Sequence, residues 1–270
     1  MTTEYPVFDR PPVEEVAVAI YFAPGLRLST ATLGALWQRW RSRFARSEDQ
    51  PPLPPVQPLT FGDGRPSFSI QITHPTPRVW FLSDSGNEVV QVQSDRLIRN
   101  WRRVSPDDPY PHYSQILPKF KEDIDQLFNV LDEENVPLPA IQQCEVTYIN
   151  PIPAEFQAHG GDLSRVLSPW SGQMSDSFLG RPDGLQLQLS YRFPESEAPQ
   201  GILSISFGDA FRSTPEGPKS VYLLQLSARG TPTTPDVARS LELLDLEHEW
   251  IVKGFASLTA PAMHMAWEKE

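Results

Sequence analysis

The chain has 270 residues, of which 39% are hydrophobic, and a formal net charge of −11. That length and apolar content support a sizeable folded core rather than a disordered chain. No apolar run reaches the roughly 20 residues that span a bilayer, and the acidic charge opposes broad contact with a phosphate backbone, so neither a membrane nor a nucleic acid is expected as a partner.

The 29 prolines punctuate the chain and mark where elements end. Val13 to Phe22, rich in Val, Ala, Ile and aromatics, reads as a strand. Ser29 or Thr30 caps a helix running to about Phe44, with Leu33, Leu36, Trp37, Trp40 and Phe44 on one face. Short strands follow at Val56–Phe61, Ser67–Thr73 and Arg78–Ser83. Asp84-Ser85-Gly86-Asn87 forms a hairpin turn into a strand at Glu88–Gln93, and Asp95–Val104 extends that hairpin region. A long helix is predicted over about Ser114–Asn135, with Pro118 near its first turn and an apolar stripe of Ile116, Phe120, Ile124, Leu127 and Leu131.

The second half reads similarly. Ile141–Asn150 is a strand, Asp162–Leu167 a short helix capped by Asp162, and Gly184–Phe193, Gly201–Phe207 and Val221–Ala228 are strands with period-two alternation. A final long helix runs from about Pro235 to Leu258 on the stripe Leu241, Leu244, His248, Ile251, Phe255 and Leu258. The expected fold is α+β: antiparallel sheet with long helices on one face, in a tandem pseudo-repeat of strand–helix–strands–helix, helix-grip or saddle-like by element order. The halves are residues 1–138 and 139–270, packed as one unit.

The single cysteine, Cys144, excludes an internal disulfide and reads as a small residue packed in a strand. The stretch Met1–Pro6 has neither the basic start nor the apolar segment of a signal peptide, so a cytoplasmic location is expected. Asn87 to Arg103, Cys144 to Asn150, Leu246 to Trp250, Leu258 to His264 and Pro11 to Val16 together resemble a sporadically distributed, functionally uncharacterised bacterial family of about this length. The resemblance implies an accessory gene, compatible with a defence or mobile-element system, and assigns no residue a role.

No phosphate-cradling glycine loop, zinc-ligand spacing or nucleophile-elbow pattern is present, so no cofactor, metal or catalytic residue is assigned and no enzyme activity is expected. The arginine clusters Arg39/Arg41/Arg43/Arg46 and Arg96/Arg99/Arg102/Arg103 read as solvated faces. The densest polar and aromatic group, Asp95, Arg96, Asn100, Trp101 and Arg102, is either a binding anchor or a network closing the hairpin onto the sheet. His248 interrupts an apolar stripe. It reads as a buried, hydrogen-bonded core histidine, or as a polar group in a pocket between helix and sheet. The leading expectation is a non-catalytic interaction or regulatory protein that binds a protein partner. The alternative is a small-ligand-binding protein or enzyme with such a pocket, lined by His248 and tryptophans.

Overall fold

The computed structural model describes residues 5–57, 59, 77–153, 163–170, 178, 184–194, 200–214 and 217–269. The elements in chain order are β1 (Glu15–Phe22), α1 (Thr30–Trp40), β2 (Arg46–Gln50), β3 (Arg78–Leu82), β4 (Glu88–Gln93), β5 (Arg96–Arg102), α2 (His112–Glu133), β6 (Ile141–Pro153), a 3-10 turn (Leu163–Arg165), β7 (Gln186–Arg192), β8 (Gly201–Thr214), β9 (Gly217–Gly230), α3 (Val237–Leu258) and α4 (Pro261–Ala266). The strands form one continuous nine-stranded sheet in the order β2-β3-β4-β5-β1-β6-β9-β8-β7, and every neighbouring pair is antiparallel. The class is therefore α+β with a large antiparallel sheet. The helices are few and not long against that sheet, which corrects the expectation of long helices.

Alternation along the strands gives the sheet its two faces. One face carries Val16, Val18 and Ile20 from β1, Leu97 and Trp101 from β5, Cys144 and Val146 from β6, and Leu224, Leu226 and Ala228 from β9, all buried in the main core. The helices pack on this face. Trp37 and Trp40 of α1 lie against Phe81 of β3, with ring centroids 5.8 and 5.1 Å away. Ser29 starts α1 by accepting the Thr32 backbone N–H at 3.0 Å. Asp236 does the same for α3 through the Arg239 N–H at 2.9 Å.

On the opposite face, Ala17, Ala19, Tyr21 and Ile98 are covered by Leu53 and Val56 from the proline-rich segment after β2. Side chains tie that segment down. Gln93 accepts the Leu53 N–H at 2.9 Å and donates to the Leu53 carbonyl at 3.0 Å, while Arg96 donates to the Pro54 carbonyl at 2.6 Å.

Several boundaries differ from the sequence reading. Val56 and Gln57 are irregular rather than strand; the rest of that expected strand lies largely outside the described residues, as do all of Ser67–Thr73 and the cap Asp162. The strand β2, with the sequence RSEDQ and mostly exposed, has no apolar alternation and forms only because β3 pairs with it. Helix α2 begins at His112, so Pro118 lies inside the helix rather than near its start and removes one helical hydrogen bond. The arginine clusters are not simply solvated. Arg99 is buried and donates to Asp123 at 2.5 Å and to Glu88; Arg43 reaches Asp123 at 2.7 Å, and Arg39 pairs with Glu133.

Candidate functional site

The residues singled out from the sequence separate in space because a strand sends neighbours to opposite faces. Arg96, Asn100 and Arg102 lie on the sheet face away from the helices. Arg96 donates to the Asp95 carboxylate at 2.9 and 2.7 Å, besides holding Pro54, and its guanidinium sits 5.4 Å from the centre of the Tyr21 ring. Asn100 donates to Glu15 at 2.5 Å and accepts from Gln91 at 2.7 Å. Arg102 donates to the Gly86 carbonyl at 2.8 Å and covers Trp80. Each of these groups is engaged in holding strands and segments together. Trp101 points the other way, toward the helices, where it packs on Tyr110 at 5.6 Å.

Tyr110 leads to the best-formed site. A cavity of about 390 Å³ lies between α3, the sheet, the start of α2 and the N-terminal segment 5–13. Rings of Tyr5, Phe8, Tyr110, His112, Tyr113, Tyr148, His248 and Phe255 line it, together with aliphatic residues such as Val13, Ile251 and Val252. Tyr148 arrives because β6 puts its even positions on the helix face, and His248 because α3 crosses above it. The His248 and Tyr113 rings stack nearly flush, 4.0 Å between centroids and 7° between planes. Tyr148 and Tyr5 approach the imidazole at 6.0 and 5.8 Å. The hydroxyls of Tyr110 and Tyr148 hydrogen-bond at 2.9 Å.

His248 is only partly buried, and among the described residues it makes no hydrogen bond, so the expected bonded core histidine is not found. Burial pushes its pKa down to about 4, so the ring is neutral at pH 7. One turn earlier, Asp245 stands at the cavity mouth, exposed and without an ion pair among the described residues. Burial of part of its carboxyl raises its pKa. The Tyr113 hydroxyl lies beside it without meeting hydrogen-bond geometry. The expected tryptophan lining is not seen; tyrosine takes its place.

Just below this wall is Glu247, which is 0% exposed and whose carboxyl oxygens have no hydrogen-bond partner of good geometry. It fits because position 230 is glycine: a Cβ there would lie 3.3 Å from the Glu247 Oε1 and 2.9 Å from the Gln200 carbonyl. Burial, then repulsion from Glu145, raises the Glu247 pKa well above the ordinary value, against weaker opposition from the Gly230 amide and Arg229. Cys144, on the same face, is fully buried and donates weakly to the Ser240 carbonyl at 3.7 Å; burial holds its thiol protonated.

Sequence reasoning missed Tyr5, Tyr110, Tyr113, Tyr148, Asp245 and Glu247. Asp245 was within reach, since it is three residues before His248 and so shares its helical face. Tyr110, between Pro109 and Pro111, carries no periodic signal. Among the described residues no cluster of three His, Cys, Asp or Glu side chains forms a metal site, and no helix is long and apolar enough to cross a membrane. The chain matches no protein-family model, no curated protein and no solved structure.

Proposed function

We propose that this chain is a non-catalytic binding protein that holds a small, largely apolar molecule in the cavity between α3 and the sheet. The observation that carries the reading is the cavity: about 390 Å³, aromatic on most sides, with a few polar atoms converging on it. Ligand sites are typically of this size and character. The test is titration with a neutral aromatic fluorophore, N-phenylnaphthylamine. The parent should bind it with a rise in emission. Val252→Trp, which fills the cavity from α3, should abolish binding while melting like the parent. A probe that binds both equally, or neither, ends this reading.

A second reading, binding of a protein partner, is favoured by one feature. The β8–β9 hairpin extends past Val221, where its pairing with β6 ends, and presents Phe211 at 77% exposure. An exposed aromatic on a projecting hairpin is a natural anchor. Loss of partner capture from a host lysate on Phe211→Ser, with the cavity probe still bound, would favour this reading over the first.

Two broader readings accompany these. We read the halves 1–138 and 139–270 as a tandem pair, a reading supported by β1 and β6 lying side by side in the sheet with β5 and β9 flanking them. A cytoplasmic setting suits a lone buried thiol. Duplex DNA is not proposed as a partner: the net charge is −11, and half of the clustered arginines, Arg39, Arg43, Arg96 and Arg99, are paired with acids; a salt-sensitive, submicromolar gel shift would contradict that exclusion.

A further inference from the structure

We propose that the cavity selects an organic cation, an alkylated ammonium group carrying an apolar arm, with the cation against the tyrosine and His248 rings and near the Asp245 carboxylate. This rests on the small-ligand reading above and narrows it to a chemical class.

Three independent features of the lining converge. First, the walls bring together the rings of Tyr5, Tyr110, Tyr113, Tyr148 and His248, with neighbouring centroids 4.0 to 6.4 Å apart. The faces of aromatic rings are negative, and rings arranged this way attract alkylammonium ions. Second, the charge at the lining has one sign. Among the described residues Asp245 is its only carboxylate and has no ion-pair partner, and no lysine or arginine among them lines the cavity. Lys253, the nearest lysine on the same helix, is paired with Glu249 outside the lining. Third, one of the two histidines in the lining, His248, brings no competing positive charge: burial keeps its imidazole neutral at pH 7. An anion would meet ring faces and a carboxylate with no cation to receive it. A wholly neutral ligand would gain nothing from the Asp245 carboxylate, which water solvates at the rim. The net charge of −11 further raises the local concentration of cations.

The experiment displaces bound N-phenylnaphthylamine with three molecules of similar shape: benzyltrimethylammonium, its uncharged carbon isostere neopentylbenzene, and benzylsulfonate. The cation should displace the probe at a concentration at least about tenfold lower than either of the others, although the hydrophobic effect alone favours the uncharged isostere. Asp245→Asn is exposed at the rim and should fold normally. It should weaken the cation about tenfold and leave neopentylbenzene unchanged. If the isostere or the sulfonate competes as well as the cation, or if Asp245→Asn changes nothing, the cation assignment is overturned. In that case the pocket reading survives, because the probe still binds. If the probe itself does not bind to the parent, both fall together.

Discussion

Glu247 and His248 are neighbours on α3, and burial acts on them in opposite directions. Glu247 has its pKa raised by burial well above the unfolded value. Its contribution to stability is therefore complete below the ordinary carboxylate range and is lost as pH rises toward the raised value. For His248 the folded pKa is lowered to about 4, so the unfolded chain binds the proton more readily; stability falls as pH drops from about 6.5 toward 4, by roughly 3 kcal/mol at most. We expect Glu247→Gln to melt higher than the parent at pH 8 and to differ little from it at pH 4. Thermal melts across that range check this, and parallel curves for the two proteins would show that Glu247 is not held neutral. The sequence placed position 248 on the inward stripe, whereas the buried positions are Ser240, Leu243, Leu244, Glu247, Ile251, Phe255 and Leu258. An apolar stripe about 100° wide cannot resolve adjacent positions, and a glutamate is by default assigned to solvent.

At the scale of elements, α2 shows what periodicity reveals and what it hides. Its predicted stripe, Ile116, Phe120, Ile124, Leu127 and Leu131, is buried throughout. Asp123, also fully buried, gave no signal because its partners come from elsewhere: Arg99 on β5, and Arg43 just after α1. This ion pair pins α2 to the sheet and to the end of α1. Removing Asp123 leaves Arg99 with Glu88 and Arg43 with Glu122, so Asp123→Ala should cost about 2 kcal/mol, less than the full loss of a stranded buried charge. Urea unfolding measures it, and a loss below about 1 kcal/mol would mean that those acids and water replace Asp123 in full. The hairpins were legible for a local reason: Gly86 turns at φ +74° between β3 and β4, as Asp84-Ser85-Gly86-Asn87 suggests. Strand β2 and the short helix α4 were not, since one is mostly charged and the other is six residues long with no side-chain cap. The site was legible only in His248 and, through Tyr110, Trp101. Its remaining walls come together from segments far apart in sequence.

Across the whole molecule, the order in which strands are made differs from the order in which they pair. The central strand β1 emerges first, but both its neighbours come later: β5 closes one side, and β6 closes the other, with Ala19 opposite Glu145. When the first half has left the ribosome, β2 through β5 and β1 can already be joined, while the edge of β1 that later pairs with β6 remains open over Glu15–Phe22. An open, apolar edge is a template for whatever strand arrives next. The nascent chain is thus most vulnerable to its own copies in the interval before β6 is synthesised, and a slow stretch of translation there would favour association on polysomes. Residues 1–138 expressed alone should accordingly form dimers or larger species by light scattering, and co-expression with 139–270 should restore a one-to-one complex. A monodisperse, monomeric first half would show that its free edge is protected by some other means.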